Sequence, residues 1–156
     1  MSDLLRRTRE AMPKKTAKTR EFVLDCSIVM AWFFEDESDP YAEAVEDSLP
    51  SASAVVASLW PLEVGNALLV GERRRRTTEA KVSTFLQVLR VLPIELDGET
   101  AAHAWQETLS LARTHKLSVY DAAYLELAAR RSLPLASLDK NLKAAAAAVG
   151  VAMYEP

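Results

Sequence analysis

Four acidic residues lie in strongly apolar surroundings, and their side chains are the first candidates for chemistry. Asp25 interrupts FVLDCSIVMAW, and Glu63 lies within SLWPLEVGNALL. Asp121 lies within SVYDAAYLELA, and Asp139 ends LASLD. Burying an ionised carboxylate without a partner is costly, because the group loses its hydration. The four acids are explained if they meet around a divalent cation, and all-oxygen ligation suits Mg²⁺ or Mn²⁺.

Each acid taken alone also has a purely structural explanation. Asp25 and Asp139 precede candidate helices, where Asp is a favoured N-cap worth about 1 kcal/mol. Glu63 would gain from the helix dipole in the first turn of its helix. Asp121 follows Ser118 at the spacing of a capping pair. The prediction of a metal site therefore rests on the set of four.

The elements that must position these acids alternate between two types. Short apolar runs rich in β-branched or small residues predict strands at residues 22–25, 54–57, 91–96, 134–138 and 151–154. Longer segments with helical spacing separate them, and Ser58 is the predicted N-cap of the helix that carries Glu63. This alternation predicts an α/β domain with a parallel sheet and helices on both faces. Asp25 and Asp139 follow strands, so both would lie at the carboxyl ends of the sheet, where such folds bind ligands.

The distribution of charge divides the chain after Arg20. Residues 1–20 contain seven basic and two acidic side chains, a net charge of +5, whereas the remainder contains 12 basic and 20 acidic ones, a net charge of -8. We therefore expect residues 1–20 to be a disordered basic extension and residues 21–156 to form one folded domain. Translation from Met12 is an alternative that would remove part of this extension.

Composition excludes several classes of protein. No apolar run approaches the roughly 18 to 20 residues of a membrane span, and the first residues lack a secretory signal, so we expect a cytoplasmic protein. The single cysteine, Cys26, cannot form an internal disulfide. His103 and His115 lack the spacing of a zinc site, and the chain has no nucleotide-binding glycine loop.

The motifs LDCS, PLEVGNALL, SVYDAAYLELA and LASLDKNL resemble, in order and separation, those of PIN-domain nucleases, particularly the VapC-type toxins of bacterial toxin–antitoxin pairs. The resemblance covers residues 21–156. It implies a three-layer α/β/α sandwich around a parallel sheet of about five strands, with an acidic pocket for Mg²⁺ or Mn²⁺. The residues that match the catalytic and metal-binding acids of the family are Asp25, Glu63, Asp121 and Asp139. Those that match its supporting polar side chains are Ser27, Asn66 and Ser137.

The resemblance also implies an activity and partners. The expected reaction is metal-dependent hydrolysis of RNA phosphodiesters by a toxin that a small cognate antitoxin neutralises, and we expect a homodimer. Candidate RNA-binding residues are Arg73, Arg74, Arg75 and Arg76, since consecutive cations can contact phosphates. The alternative for this run is a solvated helix end whose cations suit the helix dipole.

Two other functions remain open from the sequence. One is a free-standing PIN nuclease that acts in RNA maturation. The other is a non-catalytic acidic module, similar to a receiver domain, in which Asp25 or Asp139 accepts a phosphoryl group. The spacing of the acids disfavours the second alternative, and so does the position of Lys140 and Lys143 at a helix start, where a receiver domain needs a lysine at a late strand end.

Overall fold

The computed structural model describes residues 19–156, which form a four-stranded parallel sheet with helices packed around it. The strands are β1 (Arg20–Leu24), β2 (Ala52–Val56), β3 (Ile94–Leu96) and β4 (Leu135–Ala136). Their order in the sheet is β3-β2-β1-β4, and an isolated parallel bridge joins Leu135 to Met153. The bridge adds a fifth short segment beside β4, so the predicted sheet of about five strands is confirmed. The predicted basic extension lies outside the described residues, apart from its last two positions.

The central strand shows why the fold has three layers. Phe22, Val23 and Leu24 in β1 have no exposed surface. Successive side chains of a strand point to opposite faces of the sheet, so both faces must be covered. Helices provide this cover, which confirms the predicted α/β/α sandwich.

The helices agree with the segments that the sequence predicts. They are α1 (Cys26–Phe33), α2 (Pro40–Ser48), α3 (Trp60–Arg73), α4 (Glu79–Leu89), α5 (Thr100–His103), α6 (Leu109–His115), α7 (Val119–Arg131) and α8 (Lys140–Ala148). A 3-10 turn spans Glu35–Glu37, and a π-helical turn spans Ala104–Thr108 between α5 and α6. At the start of α2, Asp39 accepts a hydrogen bond from the Tyr41 amide at 2.8 Å, as a helix cap should.

The predicted cap at Ser58 is wrong. The N-cap position of α3 is occupied by Leu59, which offers no capping side chain within the described residues. The Ser58 amide instead donates to Thr100 Oγ1 at 3.1 Å, and the Thr100 hydroxyl donates to Asp97 Oδ2 at 2.8 Å. The Ser58 amide therefore takes part in a contact across 42 residues.

A buried ion-pair cluster attaches α7 to the segment after β3. The Arg130 guanidinium contacts Asp97 Oδ2 and Glu126 Oε1, each at 2.7 Å. Both carboxylates are buried, so removing the arginine would leave them without their cation. Within residues 19–156, no helix is long and apolar enough to cross a membrane.

Candidate active site

Asp25 is the buried centre of the candidate site. It follows β1 directly and is only 5% exposed. Its Oδ2 accepts hydrogen bonds from Ser27 Oγ at 2.7 Å and Ser137 Oγ at 2.8 Å. Although Asp25 occupies the N-cap position of α1, its side chain makes no capping bond within the described part of the chain. Capping therefore does not account for this acid.

The two hydroxyls also join the ends of β1 and β4. Ser27 Oγ accepts from the Leu138 amide, and Ser137 Oγ accepts from the Asp139 amide, each at 3.0 Å. Because β1 and β4 are parallel neighbours, their carboxyl ends bring these residues together. The structure thus places Ser27 and Ser137, the two predicted supporting hydroxyls, directly on Asp25.

Glu63 reaches the same region from α3. Its Oε1 accepts a hydrogen bond of 2.5 Å from the hydroxyl of Tyr124, which is fully buried on α7. Tyr124 lies three residues after Asp121, so the two share one face of α7. Sequence reasoning missed this tyrosine, although its helical spacing from Asp121 was visible.

Asp121 and Asp139 both lie at helix starts and take part in the capping contacts that the sequence suggests. The Asp121 amide donates to Ser118 Oγ at 3.0 Å, which is the expected cap of α7. Asp139 Oδ1 accepts from the Leu142 amide at 2.8 Å and caps α8. A capping role leaves the charge of each carboxylate in place, so it does not prevent either acid from taking part in the cluster.

The charges of the four acids influence one another. Burial raises the pKa of Asp25, and the charge of Asp121 raises it further, against the two serine hydroxyls, which lower it. Burial also raises the pKa of Glu63, with Asp25 and Asp121 adding to the effect and Tyr124 opposing it. Burial and the charge of Asp139 raise the pKa of Asp121. The four carboxylates therefore form one electrostatic unit.

The donor chemistry of this unit fits a hard divalent cation. Within residues 19–156, none of the four acids forms an ion pair with a basic side chain. In the same part of the chain, no three His, Cys, Asp or Glu side chains are already arranged to hold a metal ion. Mg²⁺ commonly takes only one or two carboxylates directly and keeps several waters, so it does not need such a group. Burial and mutual repulsion both raise these pKa values, and a bound cation would offset both effects.

The remaining predicted site residues form no hydrogen bond or ion pair with the four acids within residues 19–156. Asn66 is exposed on α3, and its side chain makes no hydrogen bond with any described residue. The side chains of three predicted RNA-binding arginines, Arg73, Arg74 and Arg75, are exposed at the end of α3 and beyond it. The fourth, Arg76, is engaged within the fold.

Arg76 binds the segment that follows α1. Its guanidinium lies 2.9 Å from both carboxylate oxygens of Asp36 and 2.8 Å from Glu37 Oε1, and it stacks over the Phe34 ring at 4.0 Å. The same ring faces Gly71, where an added Cβ would lie 2.6 Å from the ring. Arg76 therefore has a structural role in joining the segment after α3 to the segment after α1.

The fold and its acids define a parallel α/β domain with an acidic cluster at the carboxyl ends of its strands. The sequence profile of the PIN domain matches residues 22–148. The chain belongs to the PIN domain family, which confirms the resemblance found in the sequence motifs.

Relatives support this assignment. Ribonuclease VapC3 from Pyrobaculum aerophilum is 29% identical over 122 residues, which cover 78% of this chain and 92% of the relative. The crystal structure of PAE2754 from Pyrobaculum aerophilum has a TM-score of 0.57 and 24% identity, covering 82% of this chain and 87% of the other. The crystal structure of FitAcB from Neisseria gonorrhoeae has a TM-score of 0.53 and 24% identity, covering 86% and 97%. The two structures show that the fold is shared.

Proposed function

We propose that this protein is an Mg²⁺- or Mn²⁺-dependent endoribonuclease of the VapC type. The observation that carries the proposal is the set of four acids coupled to one another without a basic partner among the described residues. Membership of the PIN domain family and the likeness to a protein named as a ribonuclease support the same reaction. Asp25, Glu63, Asp121 and Asp139 are the residues that we assign to catalysis and to holding the cation.

The side chains of the site have separable roles in this proposal. A bound cation supplies positive charge that stabilises the developing charge on the phosphate and makes a nearby water more acidic. Ser27 and Ser137 hold Asp25 through one carboxylate oxygen and so fix its orientation. Tyr124 fixes Glu63 in the same way. Asp121, which is only half-buried, is accessible enough to accept a hydrogen bond from the attacking water and orient it towards the phosphate.

The test is cleavage of total bacterial RNA by the purified protein in Mg²⁺, in Mn²⁺ and in EDTA. We expect cleavage only with metal, and a loss on the order of 10²-fold or more in Asp121→Asn. Asp39→Asn is the matched control, because Asn caps helices as well as Asp does and this residue lies outside the acidic cluster. Cleavage in EDTA, or equal activity in Asp121→Asn, would refute the proposal.

We further propose that a small cognate antitoxin neutralises the protein and that the protein forms a homodimer. Both partners follow from the likeness to VapC-type toxins. Light scattering of the purified protein measures its mass, and a dimer is expected. A small protein encoded beside this one should form a stable complex with it and suppress RNA cleavage. A monomeric mass would refute the proposed homodimer. Full RNA cleavage in the presence of the small protein would refute its role as the antitoxin.

A further inference from the structure

A cavity of about 360 Å³ lies between the end of α6 and the first turns of α8. His115 and Lys116 line it from one side, and Asn141, Ala144 and Ala145 line it from α8. The three α8 residues are spaced as one face of a helix. Nothing in the metal chemistry proposed above uses this cavity.

The cavity is adjacent in the chain to two of the four acids. Lys116 precedes Ser118, the cap of the helix that carries Asp121, by two residues. Asn141 follows Asp139 by two residues. Since a chain extends at most about 3.6 Å per residue, the Cα of Lys116 lies within about 7 Å of that of Ser118, and the Cα of Asn141 within about 7 Å of that of Asp139. The cavity therefore lies next to the starts of α7 and α8, the helices that begin at Ser118 and Asp139.

The polar lining of the cavity is complementary to an anion. Lys116 offers an ammonium with three donors, Asn141 offers an amide with two, and the His115 ring can also donate. Among residues 19–156, no acidic side chain lines the cavity and Lys116 forms no ion pair. A cation-lined cavity beside an acidic cluster suits a polyanionic strand, because one phosphate can approach the bound metal while its neighbour binds the lysine.

The backbone of Lys116 determines which substitution can test this residue. It adopts a left-handed conformation at the end of α6, with φ 55° and ψ 39°. Glycine or asparagine usually occupies such a position, because a Cβ is disfavoured there. Arg75 and Ser132 adopt the same conformation near the ends of other helices, and glycine fits it without strain.

We propose that this cavity is a binding subsite for a phosphate of the RNA next to the bond that is cleaved, with Lys116 and Asn141 as positioning residues. This inference rests on the proposed ribonuclease function. By holding the neighbouring phosphate, the subsite would place the strand across the acids and contribute to the affinity for RNA rather than to the chemical step.

Two substitutions test the subsite without loosening the fold. Lys116→Gly removes the ammonium and suits the left-handed backbone, so we expect its Tm to equal or exceed that of the wild type. Asn141→Asp puts a negative charge in the first turn of α8, where the helix dipole favours it, but repels phosphate. Lys143→Ala is the control, because Lys143 is an exposed cation on the same helix that does not line the cavity.

The measurement is kcat and KM for cleavage of a single-stranded RNA oligonucleotide in Mg²⁺, repeated across NaCl concentrations. We expect Lys116→Gly to raise KM about tenfold with little change in kcat, and to reduce the salt dependence by about one phosphate contact. Asn141→Asp should raise KM at least as much. Lys143→Ala should leave KM within about twofold of the wild type.

The outcomes separate this inference from the function on which it rests. Cleavage by the wild type with a KM unchanged in Lys116→Gly would overturn the subsite alone. An equal rise in KM in Lys143→Ala would also overturn it, because the effect would then come from the general charge of α8. If the wild type cleaves no RNA in any metal, the ribonuclease proposal and the subsite both fail.

Discussion

Replacing Asp25 with Asn should stabilise the metal-free protein while abolishing its activity. Burial and the charge of Asp121 raise the pKa of Asp25 above its ordinary value of 3.8. The folded protein therefore binds this proton more tightly than the unfolded chain does. Ionisation of Asp25 begins to destabilise the fold as pH rises above the pKa of this residue in the unfolded chain. The loss of folding stability is complete once pH exceeds its pKa in the folded protein.

The change in folding stability depends on which contacts of Asp25 the asparagine side chain retains and on the charge that it removes. Asn has nearly the same shape and retains an oxygen that can accept from Ser27 and Ser137, so the packing is preserved. The substitution removes one buried charge, and burying a polar group without a compensating partner costs about 1–3 kcal/mol in protein mutational data. We therefore expect Asp25→Asn to be about 1–3 kcal/mol more stable in EDTA at pH 8. For a domain of this size that corresponds to a Tm higher by about 3–9 °C.

Thermal unfolding followed by circular dichroism measures this difference. In EDTA the advantage of Asp25→Asn should shrink as pH falls through the folded pKa towards the ordinary value of 3.8, because the wild-type carboxyl becomes protonated. Asp39→Asn, the control at the start of α2, should not show this gain in stability, because Asp39 lies outside the acidic cluster. Added Mg²⁺ should stabilise the wild type more than the variant, since ligand binding to the folded state stabilises it. A variant less stable than the wild type at pH 8 in EDTA would refute the reasoning.

Three further predictions concern other contacts. Tyr124→Phe removes the hydroxyl that orients Glu63, and steady-state kinetics should show kcat lower by about tenfold with KM nearly unchanged; an unaltered kcat would show that the hydroxyl does not position the acid. Gly71→Ala should cost about 1–3 kcal/mol in urea unfolding, because its Cβ would collide with a buried phenyl ring; an unchanged midpoint would mean that the ring moves aside freely. Arg130→Met should cost about 3–5 kcal/mol at neutral pH, because it leaves Asp97 buried without its cation. Burial by itself raises the pKa of Asp97, but hydrogen bonds from Arg130 and a neighbouring hydroxyl outweigh it and lower the pKa, so this stability is present above about pH 4 and is lost as pH falls through the folded pKa. Urea unfolding should therefore show a smaller deficit in Arg130→Met at about pH 3 than at pH 7, and an equal deficit would contradict this explanation.

The sequence was sufficient to predict the sheet and the position of two acids. Apolar runs such as the one containing Phe22 and Val23 have no helical period, and the long helical segments between them require parallel strands. Once the strands are parallel, their carboxyl ends share one edge, so Asp25 and Asp139 had to lie near each other. These inferences need only local periodicity and the geometry of a parallel sheet.

The features that sequence reasoning missed depend on contacts between distant parts of the chain. Tyr124 bonds Glu63 across 61 residues, and Arg76 bonds Asp36 across 40. Local periodicity carries no information about such pairs. The π-helical turn in Ala104–Thr108 was also missed, because a shift of one residue in the hydrogen-bonding pattern leaves the helical spacing of apolar residues nearly unchanged.

The bond between Ser137 and Asp25 has a consequence for synthesis of the protein on the ribosome, because it joins residues 112 apart in the chain. Contacts between such distant residues form late in folding. The entropy lost when the long loop closes must be offset by the contacts that a whole docked strand makes. A nascent chain that ends before β4 already contains Asp25, Glu63 and Asp121. It lacks Ser137, whose hydroxyl donates a hydrogen bond to Asp25. The order of the strands therefore delays completion of the acidic cluster until most of the domain has emerged, so that a partly translated chain carries an unfinished site.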